Sequence, residues 1–364
     1  MLLFTPGPTP VSENTRLAMS KPTIHHRTPE FESIFEETRK LLLEMIGTDE
    51  VVLLSSSGTG AMESAVTNLT RKKLLSINAG KFGERFGKIA KANSIENVEL
   101  IYDWNTPASV EEVVNLVKED TEIDAIAIQI SESSGGLRHP VEEIAKQVKE
   151  IRDISIIADG ITAMGVEKID ISNIDALIGG SQKAFMLPPG LAILGLSNSA
   201  VEKIGKGKGF YFNLASEIKK QRTNTTAYTP ATTLIIGLLQ VLKEFKSFGF
   251  DNLYLKTEKR GKAVELAMRS IGLEIYPQVS SKAMTTIYFE KSAELRKILK
   301  SEFAVNVAGG QEQLKNTIFR INNMGIIPES EISWVLNSVE LALQKMGIRD
   351  FDGTANKEYL KHIF

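Results

Sequence analysis

The sequence predicts an α/β protein in which a large domain, with a mostly parallel sheet covered by helices, precedes a smaller C-terminal α+β domain. Three observations carry this expectation. Short, almost wholly apolar runs recur at "VVLL" (51), "KLLSI" (73), "IDAIAIQI" (123), "ISIIA" (154), "IDALIGG" (174) and "LAILGL" (191), and such runs without polar alternation suit strands buried on both faces. Helix-period segments such as "GAMESAVTNL" and "SVEEVVNLVKE" lie between several of them, which is the alternation of a sheet wrapped by helices. Past residue 282 the texture changes to "TTIYF", "ELRKILKSEF", "AVNVAGG", "NTIFRI" and "EISWVLNSVELALQKM", a small sheet with helices beside it.

Taken in order, residues 30–46 read as one amphipathic helix. Phe31, Ile34, Phe35, Leu41, Leu42, Met45 and Ile46 fall at helical spacing and Gly47 follows as the stop. Residues 229–271 read as two consecutive helices broken by Gly249. The expected organisation is an N-terminal arm over residues 1–15, a large domain over 16–250 and a small domain over 251–364. A chain of 364 residues with 42% hydrophobic content can fill both cores.

Composition narrows the function. The formal net charge is −2 and no basic run or stripe is present, so nothing suggests nucleic acid or a membrane surface as a partner. No apolar segment approaches the roughly 20 residues that span a bilayer, and "MLLFTPGP" lacks the regions of a secretory signal. A cytoplasmic protein with a small-molecule partner is expected. The cysteine count of 0 excludes disulfides, zinc-thiolate sites, iron–sulfur clusters and thiol nucleophiles. His25, His26, His139 and His362 show no metal-ligand spacing, so no metal site is expected.

The most informative stretch is "GGSQKAFMLPPG", residues 179–190. Lys183 is followed by Ala184, Phe185, Met186 and Leu187, none of which offers a carboxylate to an ammonium. A lysine so placed either snorkels to water, as most do, or loses its proton. A deprotonated lysine is the amine that condenses with carbonyl compounds, and its commonest biological partner is the aldehyde of pyridoxal 5'-phosphate, PLP.

That hypothesis demands four further groups. A phosphate cradle is offered by "SSSGTGAMESA", where Ser57, Gly58 and Thr59 lead from a strand into a helix; a plain capped turn is the alternative. A carboxylate for the pyridine nitrogen is offered by Asp159 in "ISIIADGITAMG", at the carboxyl end of a strand where open α/β sheets bind ligands. The alternative there is an ordinary Asp-Gly turn. Phe82, in the turn "INAGKFGERFG", offers a flat ring to stack on the cofactor. Arg320, in the apolar "TIFRINNMG", offers a two-pronged clamp for a substrate carboxylate, with a surface arginine on an edge strand as the rival reading.

The order of these elements, together with "LLFTPGPTPVS", "HHRTPEF", "SGTGAMESA", "NAGKFGER", "ADGITAMG", "GSQKAFMLPPG", "TAYTPAT" and "FRINNMG", resembles the class V aminotransferases, PLP enzymes of fold type I. The similarity is to their serine-pyruvate and alanine-glyoxylate branch and spans nearly the whole chain. It implies Lys183 as the lysine that carries PLP and later moves the proton, and Asp159 as partner of the ring nitrogen. It implies Ser57, Gly58, Thr59 and Gln182 around the phosphate, and Phe82 at a stacking place often held by tryptophan. Ser133, in "SESSGG", matches a hydroxyl residue near the cofactor, and that stretch also suits a capping turn. The resemblance further implies Arg320 for the substrate carboxylate, Gly7 closing the pocket from the arm, and a homodimer with its active site at the subunit interface. Tyr228 and Thr229 lie in the segment, residues 225–229, implied to reach the other subunit's phosphate.

The function so implied is transfer of an amino group from a small amino acid of serine or alanine type to pyruvate or glyoxylate. An aminotransferase for a phosphonate, a phosphorylated amino acid or an acidic amino acid is the near alternative, ranked lower because no additional arginine cluster marks a second anion site. Cysteine desulfurases share the fold but need a cysteine thiolate, which this chain lacks. An inert PLP-fold binding protein has no chemical need for lysine, aspartate and arginine together.

Overall fold

A computed structural model describes residues 1–364. Its larger sheet has seven strands in the spatial order Glu50–Leu54, Ala192–Leu196, Ala176–Gly180, Ser155–Asp159, Ile123–Gln129, Lys73–Asn78 and Glu96–Ile101. Ala192–Leu196 runs antiparallel to both neighbours and the remaining pairs are parallel. All six apolar runs are strands of this sheet. Successive residues feed opposite cores: Leu53, Leu75, Ile128 and Ile156 pack on one face, and Val52, Leu74, Ala127 and Ile157 on the other. That two-sided burial is why these strands show no polar alternation.

The expected helix over 30–46 spans Pro29–Ile46, starts on the Thr28 cap and stops at Gly47 in the left-handed region, φ 82°. The pair of helices is Thr232–Phe248 and Phe250–Ser270, hinged at Gly249 with φ 87°. No helix is long and apolar enough to cross a membrane.

A second sheet has five strands in the order Leu2–Phe4, Val305–Gly309, Ile318–Asn322, Met284–Tyr288 and Glu274–Ile275. Its N-terminal member, Leu2–Phe4, pairs parallel with Val305–Val307. The first residues of the chain therefore belong to the same sheet as residues some three hundred positions later, and they leave it directly toward the turn carrying Lys183. Arg320 lies on Ile318–Asn322, a central strand paired on both sides, so it is not the edge-strand surface arginine of the rival reading. Its neighbours Phe319 and Ile321 enter the small core, and the alternation of strand side chains turns Arg320 the other way, toward the larger sheet.

Candidate active site

Lys183 occupies the turn that leaves the strand Ala176–Gly180. Its Nζ donates to the Pro6 carbonyl at 2.6 Å, and the Thr9 hydroxyl donates to its main-chain carbonyl at 2.7 Å. The arm thus wraps the lysine, and Gly7 makes this possible. With φ 102°, Gly7 lies so near that a Cβ there would stand 2.5 Å from Lys183 Cδ and 2.6 Å from Nζ. Loss of hydration, with the Arg320 guanidinium adding to it and Asp159 opposing, lowers the lysine pKa to about 8.

Asp159 ends the strand Ser155–Asp159, level with Gln129 and Ile178 on the neighbouring strands. It is buried, and its Oδ1 accepts from the Ile161 amide at 2.9 Å. Burial raises its pKa to about 7; the Ile161 amide pulls the other way and the charge of Glu132 adds to the rise. Such a carboxyl is strongly drawn to a cationic partner, because a positive charge at short range offsets the cost of its own ionisation.

The turn before the helix Gly58–Leu69 has Ser57 as its N-cap, yet the Ser57 side chain does not cap the helix. Gly58 backs onto Ile161, whose Cδ1 would lie 2.4 Å from a Cβ at that position. The cradle and the Asp159 turn are therefore in direct contact. Thr59 Oγ1 accepts from Arg85 Nη1 at 2.9 Å. Gln182 Oε1, next to the lysine, is buried without a hydrogen-bond partner, a polar atom that calls for a ligand or water.

Phe82 precedes the helix Gly83–Ala92 as its N-cap, and the Arg85 guanidinium stands 4.7 Å from its ring centroid. Its position is set by Glu132, a residue the sequence reading did not single out. Glu132 Oε2 accepts from the Phe82 and Gly83 amides at 3.0 and 2.9 Å, while Oε1 accepts from the Ser134 amide and hydroxyl at 2.9 and 2.6 Å. Burial raises the Glu132 pKa against those four donors. Ser133, held in the same loop, contributes its carbonyl to Arg320 Nη1.

Arg320 also donates to the Gly309 carbonyl, from Nε at 3.2 Å and Nη2 at 2.5 Å. Its partners are carbonyl oxygens, so its charge is oriented without being neutralised. Loss of hydration lowers its pKa to about 10, still cationic at neutral pH, with Glu132 favouring the charged form.

Lys183, Asp159, Phe82, Ser133, Gln182, Arg320, Gly7 and the cradle Ser57–Thr59 thus form one connected set between the two sheets. Tyr228 and Thr229 are not gathered into it within the same chain. They border a small crevice with Leu53, Ser55, Tyr211 and Glu217. The Tyr228 hydroxyl donates to the Phe210 carbonyl at 2.9 Å, and its ring stacks 5.1 Å from that of Tyr211. Arg85, Glu132 and the Pro6 carbonyl are site groups that sequence reasoning passed over. Glu132 and Arg85 lie inside quoted motifs; Glu132 is marked as the one charge among the small residues of "SESSGG", whereas Arg85 shares its motif with Lys81 and Glu84 and nothing local singles it out.

The residues present fit pyridoxal phosphate. The fit rests on the unpartnered Gln182 oxygen beside a glycine-bearing helix start, and on a buried carboxyl at a strand end within electrostatic reach of a lysine with a lowered pKa. Lysine, carboxyl and helix start at the carboxyl ends of a mostly parallel sheet define a PLP-dependent enzyme of fold type I. More narrowly, the chain belongs to the class V aminotransferases, whose family model, "Aminotransferase class-V", matches residues 12–327. It is 51% identical over 367 residues to an uncharacterised aminotransferase of Helicobacter pylori, with 100% of both chains covered. It is 28% identical to the serine–glyoxylate aminotransferase of Hyphomicrobium methylovorum, covering 95% of this chain and 90% of that one. Among solved structures, the subgroup IV aspartate aminotransferase of Thermus thermophilus superposes with a TM-score of 0.89 at 30% identity, covering 95% of this chain and 99% of that one.

Proposed function

We propose that this aminotransferase passes an amino group from a small amino acid of serine or alanine type to pyruvate or glyoxylate. The observation that carries the reading is Arg320: a buried guanidinium with carbonyl partners, beside a lysine with a lowered pKa, is a receptor for the α-carboxylate of an amino acid at the place where its Cα proton must be handled. The name of the Hyphomicrobium relative supports the same donor and acceptor classes.

When bound, pyridoxal phosphate supplies the carbonyl that takes up the amino group and the ring that withdraws electrons. The chain supplies the rest. Lys183 Nζ would hold the cofactor, and the same amine, with a pKa of about 8, is placed to take up and give back the substrate Cα proton at neutral pH. Asp159 would keep the ring nitrogen protonated. Ser57, Gly58, Thr59 and Gln182 would hold the phosphate, with Phe82 and Ser133 as further cofactor-binding residues. Gly7 closes the pocket over the lysine. Tyr228 and Thr229 act on the phosphate of the partner subunit in a homodimer, which accounts for their position away from Lys183 in their own chain.

The test is a scan of amino donors against pyruvate and glyoxylate with the purified holoenzyme. Turnover of serine or alanine with either acceptor is expected. No turnover of serine or alanine with either acceptor, while other donors turn over, would overturn the reading.

A further inference from the structure

One loop, residues 130–136, touches three parts of the site, and its only charge is Glu132. At its start the Ile130 amide donates to the Asp159 main-chain carbonyl at 2.9 Å. In its middle, Glu132 and Ser134 receive three successive amides of the turn that opens the helix Gly83–Ala92: Phe82 and Gly83 donate to Glu132 Oε2 at 3.0 and 2.9 Å, and Lys81 donates to Ser134 Oγ at 3.1 Å. Ser133, between the two, presents its carbonyl to Arg320 Nη1. The turn and the loop are packed so closely that a Cβ on Gly80 would fall 2.5 Å from Glu132 Cδ.

Glu132 is fully buried, and its oxygens meet donors alone: two amides on Oε2, and the Ser134 amide and hydroxyl on Oε1. That hydroxyl already accepts from the Lys81 amide, so its proton is left for the carboxylate. Four donors and the start of a helix hold the group as an anion. Arg320 is its mirror image, a buried cation whose partners are the Ser133 and Gly309 carbonyls. The two opposite charges thus meet the same loop one residue apart, each bonded to neutral groups, and Glu132 favours the charged form of Arg320 through space. Buried charges of opposite sign placed in this way compensate one another without direct contact.

We infer that Glu132 is a positioning residue with two tasks: its carboxylate locks the Phe82 turn to the loop that presents Ser133, and its charge is the counter-ion of Arg320, tempering the grip of that guanidinium on a substrate carboxylate. The inference rests on the reading of Arg320 as the carboxylate receptor. A brace and a counter-charge differ in sign. Loosening a brace weakens every ligand of the site, whereas removing the counter-charge strengthens the attraction of Arg320 for a carboxylate.

Three variants separate the tasks. Glu132→Gln keeps the shape and removes the charge, Glu132→Asp keeps the charge and shortens the reach, and Ser134→Ala removes one donor and leaves the charge. Titration of the cofactor-free proteins with PLP, followed by absorbance, reads the lock: all three bind PLP more weakly, Glu132→Gln by about tenfold, the size of a lost charge-assisted hydrogen bond. Ser134→Ala keeps this arm decisive where Glu132→Gln does not fold. Calorimetric binding of propionate to the holoenzymes reads the counter-charge: Glu132→Gln binds it about threefold more tightly than wild type, and the other two variants show no tightening. The third reading is the pH midpoint of the bound cofactor's visible absorbance. Lys183 faces Asp159, Arg320, Arg85 and Glu132, and loss of the negative charge of Glu132 disfavours a cation at Lys183, so the midpoint falls in Glu132→Gln and stays in Glu132→Asp. Propionate bound more weakly by Glu132→Gln, in step with the other two variants, would leave Glu132 a brace and overturn the counter-charge. Unchanged PLP affinity in all three would overturn the lock. Arg320→Ala is the control on the receptor: propionate bound equally well without Arg320 would refute that reading alone, and the absorbance midpoint then decides the part played by the charge of Glu132.

Discussion

Lys183 and Asp159 share one cause for opposite shifts. Removal of water disfavours the charged form of each, lowering the amine to about 8 and raising the carboxyl to about 7. For Lys183 the expected outcome is direct: borohydride reduction of the holoenzyme followed by peptide mapping labels Lys183, and Lys183→Ala loses turnover by roughly 10²–10⁴-fold or more. A label on another lysine would remove it from the mechanism. Asp159 gives a pH signature. In the cofactor-free protein its carboxyl keeps a proton up to about pH 7, whereas the unfolded chain releases it near pH 4. Between those values the folded state binds more protons, so stability falls as pH rises. Lys183 adds no slope there, being protonated in both states below its lowered pKa of about 8. Asp159→Asn removes the penalty. The melting temperature of the cofactor-free variant, relative to wild type, should therefore climb between about pH 4 and pH 7 and level off above, on the order of a few degrees. A difference that stays flat with pH would show that the carboxyl ionises freely. The same variant should bind PLP yet lose most turnover, because an amide cannot hold the ring nitrogen protonated.

At the level of elements, the site is where three pieces meet: the arm that follows Leu2–Phe4, the carboxyl ends of the larger sheet, and the strand Ile318–Asn322. Gly7→Ala tests the first. Its Cβ would collide with Lys183 Nζ, and φ 102° disfavours any side chain, so loss of PLP absorbance and activity is expected from a chain whose circular dichroism is unchanged. Retention of full activity would mean that the arm can move aside. Arg320→Ala tests the third: a kcat/KM loss of about 10²-fold for amino acids, from two charge-assisted bonds at roughly 1.5 kcal/mol or more each, with little loss for simple amines, which present no carboxylate. Equal losses for both donors would make Arg320 a support of the Ser133 and Gly309 carbonyls only. These elements also show what a sequence reveals. The six buried strands and the long helices were legible because burial writes itself as apolar periodicity. The strand Glu96–Ile101, "ENVELI", was not, because it lies at the sheet edge and its side chains stay partly exposed. Neither the antiparallel direction of Ala192–Leu196 nor the pairing of Leu2–Phe4 leaves a local trace, since both are set by partners distant in the chain. Within the site, Lys183, Asp159 and Arg320 stood out as charges in apolar runs. The roles of Glu132 and the Pro6 carbonyl did not, because they act on or through backbone groups that every residue carries.

For the whole molecule, the decisive question is where Tyr228 and Thr229 work. Tyr228 forms an aromatic group with Tyr211 and Phe210, and the last of these is 79% exposed. A cluster of rings left open on the surface is a natural contact for another chain, in keeping with a homodimer whose sites draw on both subunits. In the proposed homodimer neither subunit would work alone, and complementation gives a numerical expectation. One variant lacks Lys183 and a second is crippled at both Tyr228 and Thr229; they are unfolded together and refolded as an equal mixture. In a mixed C₂ dimer one site collects both defects and the other collects none. Half of all randomly paired dimers are mixed, each with one intact site of two, so roughly a quarter of wild-type activity should return. If the three residues instead serve the same site within one chain, every site retains a defect and nothing is regained. Mixed dimers confirmed by mass, yet inactive, would confine Tyr228 and Thr229 to their own subunit while leaving Lys183 and Asp159 in their places.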